Sequence, residues 1–148
     1  MSGWGRCQAA ARPRPASGWD GCADVTTPAV ILVVEDERPV REFLAGALVL
    51  DGYRVVQAFH GEHALSLVMG ERPDLVIADV MMPLMGGEEL CRRLKADPAT
   101  AAVPVILMSA ARPPAARDAP ADAFIAKPFD LDTMDALVHA LLPAARRR

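Results

Sequence analysis

Long apolar runs, paired cysteines, aromatic rings and lysines are all scarce in this 148-residue chain, and each scarcity removes a class of protein. No apolar stretch approaches the ~20 residues needed to cross a bilayer. The first residues lack the charged start and apolar centre of a secretory signal. The expectation is a cytoplasmic protein with no membrane partner. Cys7, Cys22 and Cys91 are odd in number and show no metal-ligand spacing, so neither a disulfide framework nor a zinc site is indicated. Aromatic residues make up 5% of a chain that is 52% hydrophobic, which points to a core of aliphatic side chains. No Ser/His/Asp constellation or glycine-rich phosphate loop is present, and His60, His63 and His139 read as surface or half-buried histidines.

The formal net charge of −3 conceals an acidic body. Seventeen acidic and ten basic residues lie between positions 29 and 145. Nucleic-acid binding needs a basic face, so no nucleic-acid partner is expected. The terminal run Arg146, Arg147 and Arg148 reads as a solvated basic tail, 143–148.

Residues 1–28, rich in Gly, Ala, Pro, Arg and Ser, have no helical or strand period and read as a disordered extension that carries both tryptophans, Trp4 and Trp19. From Ala29 the pattern becomes regular. VILVV (30–34) is a two-sided apolar run suited to a buried parallel strand. A helix follows, with Pro39 in its first turn, Val40, Phe43, Leu44, Ala47 and Leu48 at helical spacing, and Gly52 as its stop. YRVVQAF (53–59) is a second strand, and Gly61 leads into a helix with Ala64, Leu65, Val68 and Met69 inward. DLVIA (74–78) is a third strand, and a helix over 87–95 buries Leu90, Cys91 and Leu94. PVILMS (104–109) and AFIA (123–126) are the fourth and fifth strands. Asp130 can cap a last helix carrying Leu131, Met134, Leu137, Val138 and Leu141. This alternation predicts an α/β fold over residues 29–142, a doubly wound five-stranded parallel sheet of flavodoxin-like order 2-1-3-4-5.

That order gathers the chemistry at one sheet edge. Glu35 and Asp36 follow strand one, Asp79 follows strand three, Ser109 ends strand four and Lys127 follows strand five. Three clustered carboxylates repel, about 4 kcal/mol for a pair of charges 4 Å apart at an effective dielectric near 20. A hard divalent cation with oxygen ligands relieves this, and Mg²⁺ suits the set. Such an ion also neutralises phosphoryl oxygens. An aspartate beside it can be a nucleophile, Lys127 can pair first with Asp79 and then with a phosphoryl oxygen, and Ser109 can offer a hydroxyl. Lysine itself is rare here, two against fourteen arginines, so its place after a buried strand suggests a need for a point charge. Pro128 can place the preceding bond in cis. Singly, each residue is ordinary: an aspartate after a strand is more often a helix cap, and a Glu-Asp pair a solvated turn. Their order is what carries the reading.

VVEDE, ADVMMPLMGG, VILMSA and FIAKPF, in this order, resemble the receiver domain of two-component response regulators over residues 29–142. The resemblance implies that Asp79 accepts a phosphoryl group from a histidine kinase phosphohistidine, or within a phosphorelay from a phosphotransfer protein. It implies that Glu35, Asp36, Asp79 and the backbone carbonyl of Met81 hold Mg²⁺. Ser109 and Phe124 match the family's switch pair, although Phe124 stands where many members have tyrosine and brings no hydroxyl. The implied role is a stand-alone signalling switch for an unidentified downstream protein, not a metabolic enzyme, with a homodimer left open. Two rivals are a degenerate receiver that binds partners without phosphorylation and an aspartyl-phosphate phosphohydrolase. VVEDE is not the Asp-x-Asp nucleophile motif of the haloacid dehalogenase type, and the full set of site residues speaks against a degenerate receiver.

Two departures stand out. Gly86-Gly87 replaces the usual acidic-Gly pair before the third helix, which removes a side-chain cap. Between Ser109 and Lys127 the segment is shorter than usual and holds Pro113, Pro114 and Pro120, so the fourth helix is expected to be short or irregular. An output surface altered in that way, or a weakened dimer mode, follows as an expectation.

Overall fold

A computed structural model describes residues 28–110 and 120–142. Five strands form one parallel sheet: β1 (Val30–Val34), β2 (Arg54–Ala58), β3 (Leu75–Asp79), β4 (Val105–Ser109) and β5 (Ala123–Ala126), in the order β2-β1-β3-β4-β5. Four helices are described: α1 (Arg38–Leu50), α2 (Gly61–Glu71), α3 (Gly87–Ala96) and α4 (Leu131–Leu141). This is the flavodoxin-like order expected from the sequence. The short or irregular fourth helix of that reading falls on 111–119, outside the described residues, as do residues 1–27 and 143–148. No helix of the described residues is long and apolar enough to cross a membrane.

The inner strands are apolar on both faces because both are covered. Alternate residues Leu32, Val34, Val76, Ala78, Val105 and Leu107 meet α2 and α3 through Ala64, Val68, Leu90, Cys91 and Leu94. The intervening Ile31, Val33, Leu75, Ile77, Ile106 and Met108 meet α1 and α4 through Leu44, Leu48, Met134 and Val138. Burying each large aliphatic side chain contributes about 1.5–3 kcal/mol, so these two layers supply most of the driving force. The edge strands β2 and β5 are only partly buried.

Helix ends follow their local sequence. Pro39 occupies the first turn of α1, and Gly52 reverses the chain after it at φ 98°. His60 caps α2 by accepting from His63 N at 3.1 Å. Asp130 Oδ1 accepts from Thr133 N and caps α4. The first turn of α3 has no side-chain cap, as Gly86 implies, but Glu88 and Glu89 sit at its start and Arg93 and Lys95 at its end, complementing the helix dipole. Its start lies hard against β3: a Cβ on Gly87 would stand 2.5 Å from the backbone oxygen of Asp79.

Leu131 at the start of α4 is exposed, and two apolar residues of α1 and α2 also lie elsewhere than the sequence pattern suggests. Met69, expected inward, is 56% exposed, and Phe43 of α1 is 59% exposed. Each follows or precedes a fully buried neighbour, Val68 or Leu44, and one residue turns a helix by about 100°. Both helices carry more apolar residues than one face can hide.

Candidate functional site

The parallel register brings four chain segments together at the C-terminal edge of the sheet. Val34 pairs with Ala78 and Asp79 with Met108, so the ends of β1, β3 and β4 are level. Glu35 and Asp36 leave β1, Asp79 ends β3, Ser109 ends β4, and Lys127 follows β5 beside it, its amide donating to Ser109 O at 2.8 Å. One oxygen from each of Glu35, Asp36 and Asp79 lies within 4.8 Å of the others. Lys127 Nζ donates to Glu35 Oε1 at 2.9 Å and stands 3.3 Å from Asp79 Oδ1. The sequence reading of these four residues as one cluster is therefore what the structure shows. The Lys127–Pro128 peptide is cis.

Burial divides the acids. Glu35 and Asp79 are buried, whereas Asp36 is open to solvent. Burial raises the pKa of both inner carboxyls: for Glu35 it outweighs the Lys127 hydrogen bond, and the charge of Asp79 adds to it. For Asp79 burial again outweighs the charge and hydrogen bond of Lys127 and the backbone amide of Met81, with the charge of Asp36 adding to the rise. For Lys127 burial acts downward, but the Glu35 hydrogen bond and the neighbouring carboxylates prevail and keep it firmly charged. One ammonium thus stands among three carboxylates. The surplus negative charge and all-oxygen donor set fit a hard divalent cation, with Asp36 facing the solvent from which it would enter.

The remaining expected residues fall around this centre. Ser109 is buried at the end of β4. Phe124 is half-buried on β5, paired with Leu107, and packs against the α2/α3 side of the core. Met81 is 68% exposed in the loop after β3, and it is its backbone amide that meets Asp79. Beside Lys127, a hollow of about 360 Å³ opens between Val40 and Phe43 of α1 and Phe129.

The residue that sequence reasoning missed is Arg41. It is 7% exposed and donates from Nη1 to Glu35 O at 2.9 Å and from Nε to Gln57 Oε1 at 3.2 Å. A signal existed: Arg41, Leu44 and Leu48 share one helical face, the buried one.

Residues 31–139 match the family described as the response regulator receiver domain. The chain belongs to this family. Among its relatives, the receiver is 41% identical over 119 residues to the response regulator MprA of Mycolicibacterium vanbaalenii, covering 78% of this chain and 51% of that protein. It is 40% identical over 116 residues to MprA of Mycobacterium avium, covering 76% and 50%. The chain therefore spans about half the length of these curated relatives. Solved structures agree on the receiver fold. The signal receiver domain of a histidine kinase from Syntrophus aciditrophicus aligns with a TM-score of 0.75 at 35% identity, covering 81% of this chain and 94% of that one. The chemotaxis protein CheY4 of Vibrio cholerae aligns at 0.74 with 26% identity, covering 78% and 100%. The chain is a receiver domain of the two-component response regulator type, and such receivers are signalling modules.

Proposed function

We propose that this receiver is a phosphorylation-controlled switch whose phosphoacceptor is Asp79. The observation that carries the reading is the cluster itself: Asp79 stands with Glu35 and Asp36 within 4.8 Å and with the Lys127 ammonium 3.3 Å away. Glu35, Asp36, Asp79 and the backbone carbonyl of Met81 would hold Mg²⁺, which when bound supplies charge neutralisation for the phosphoryl oxygens. Lys127 favours the ionised form of Asp79, the form that can attack. The Asp79 carboxylate oxygen forms a bond to phosphorus as the phosphorus–nitrogen bond of a kinase or phosphotransfer-protein phosphohistidine breaks, and the imidazole leaves. Lys127 then shifts from the carboxylate to a phosphoryl oxygen, holding its charge.

Ser109 and Phe124 form the reporting pair in this reading. Ser109 ends the strand beside that of Asp79 and can donate its hydroxyl to a phosphoryl oxygen, and the half-buried Phe124 would then turn further in. The phosphorylated state has a different affinity for a downstream protein, and that difference is the signal. The exposed Phe43 and the hollow beside Lys127 offer a place for the phosphodonor protein to dock. Residues 29–142 make up the switch, acting in the cytoplasm, and no metabolic turnover is assigned to it.

The test is intact-mass measurement after incubation with Mg²⁺ and a small phosphodonor such as acetyl phosphate. A single phosphoryl adduct is expected in the parent and none in Asp79→Asn. A parent that never takes up the phosphoryl group, or an adduct that persists in Asp79→Asn, rejects Asp79 as the acceptor.

A further inference from the structure

Arg41 is the one buried cation among the described residues, and a charge taken out of water costs several kcal/mol unless it is well satisfied. Its partners are unusual. Among the described residues it lies within ion-pair distance of no carboxylate. The guanidinium spends its fork on neutral acceptors, Glu35 O at 2.9 Å and Gln57 Oε1 at 3.2 Å, and its carbon stands 4.5 Å over the centre of the Phe59 ring. His63 in turn accepts from Phe59 N at 3.1 Å and packs its ring 4.6 Å from that of Phe59. The guanidinium is thus braced by β2 and the start of α2 while it grips the loop after β1.

The atom it grips is the carbonyl that joins the two acids. A peptide unit is planar, so holding Glu35 O restrains rotation of the plane between Glu35 and Asp36 and limits the directions in which the two side chains leave it. The other contacts of Glu35 complete the hold: its amide donates to Ala58 O at 3.1 Å, its Oε2 accepts from Glu37 N at 3.2 Å, and its Oε1 accepts from Lys127 Nζ at 2.9 Å. Of the two contacts to the Glu35 backbone, the one from Arg41 is made by a side chain and can be removed without touching the acids.

We infer that Arg41 is a positioning residue that sets the Glu35-Asp36 pair in the geometry a divalent cation requires, through the carbonyl that links them. This rests on the proposed acidic-pair site but concerns cation affinity, which is measurable without phosphoryl transfer. A planar fork is needed because one group must meet a carbonyl, an amide oxygen and a ring face in different directions, which a lysine ammonium cannot do.

The experiment is direct Mn²⁺ binding to the full chain by electron paramagnetic resonance, for the parent, Arg41→Met and Arg41→Lys, each shown to be folded by circular dichroism. Residues that orient metal ligands typically change affinity by about ten- to a hundredfold, so Arg41→Met is expected to bind Mn²⁺ at least about tenfold more weakly. Arg41→Lys should fail to restore it. The Mg²⁺ concentration for half-maximal phosphoryl uptake should rise in parallel, with the rate at saturating Mg²⁺ little changed. Unaltered Mn²⁺ affinity in a folded Arg41→Met variant overturns the inference, even where its urea midpoint has dropped. Should that variant fail to fold, Gln57→Leu loosens the guanidinium from an exposed strand position, and unweakened Mn²⁺ binding there also overturns it. A parent that binds Mn²⁺ in an Arg41-dependent way yet takes up no phosphoryl group rejects the phosphoacceptor reading and leaves this one standing. A parent that binds no Mn²⁺ overturns this one.

Discussion

Replacing Lys95 by methionine probes a tie at the sheet edge opposite the carboxylates. Lys95 Nζ leaves α3 to donate to Val103 O at 2.8 Å, Ala101 O at 3.3 Å and Asp122 Oδ2 at 2.9 Å, with its side chain 18% exposed. The same Asp122 oxygen accepts from Val105 N at 2.8 Å. One ammonium therefore joins the end of α3 to the starts of β4 and β5. Hydrogen bonds to a charged group contribute about 1.5–3 kcal/mol each, but an ion pair with a half-exposed partner contributes under about 1 kcal/mol. The three contacts share one donor and do not add, and methionine keeps the packing of the stem. The expected loss is about 2 kcal/mol, or roughly 6–10 °C in thermal midpoint for a domain of this size. Urea unfolding checks it as a lower midpoint at unchanged slope. Lys95→Arg should recover less than half, since a planar fork cannot set one nitrogen against three converging oxygens. Phosphoryl uptake at Asp79 should not change in either variant. A loss below about 0.5 kcal/mol, the range of ordinary surface substitutions, or full rescue by arginine would refute the reasoning.

Burial pushes the Cys91 thiol from 9.0 up to about 11. Folding then favours the protonated thiol, so its stabilising contribution is complete below pH 9.0 and is lost as the pH rises to about 11. Urea midpoints across that window should fall less in Cys91→Ala than in the parent, and iodoacetamide should reach Cys91 only at the rate of unfolding, read by peptide mapping. The raised Asp79 carboxyl has the same sign: its contribution is present below its ordinary value and lost as pH rises through the folded one. In chelator at neutral pH, Asp79→Asn should therefore raise the thermal midpoint, and a fall would contradict the burial argument. Gly87→Ala sets a Cβ 2.5 Å from Asp79 O, an overpacking that costs about 1–3 kcal/mol. It should slow phosphoryl uptake measured by intact mass, and an unchanged rate would show that the end of β3 yields without disturbing Asp79.

The fold was legible because its two periods were clean. VILVV, LVIA and VILM are apolar on both faces, which only a strand covered on both sides requires, and the helical stretches between them set the crossovers. The carboxylate cluster was legible for a topological reason: acids placed just past strands one and three become neighbours once those strands pair. Burial of α1 and α2 was less so. Phe43 and Met69 have the apolar character of core residues, but hydrophobicity alone does not say which side of an apolar-rich helix the sheet will cover. Arg41 was hidden by its charge, since an arginine on an amphipathic helix is normally a surface residue. Only its spacing from Leu44 and Leu48 betrayed the buried face. Asp122, as a strand-start acceptor, had no sequence signal, because its role depends on where Lys95 arrives in space.

The choice of cation in this chain follows the geometry of its acceptors. Against fourteen arginines there are two lysines, and each sets a single nitrogen against oxygens that converge from separate segments. Arg41, buried more deeply than either, does the opposite and reads a carbonyl, an amide oxygen and a ring in divergent directions. Burial alone therefore does not decide between them. The partners of the two lysines also separate their roles. Lys95 is held largely by backbone carbonyls, whose charge never changes, so its attachment is permanent and it stabilises. Lys127 is held by Glu35 and Asp79, the groups whose charge would change on cation binding or phosphoryl uptake. An ammonium with one freely turning head can follow that charge as it moves, whereas a guanidinium fixed by its fork would have to break two bonds to do so.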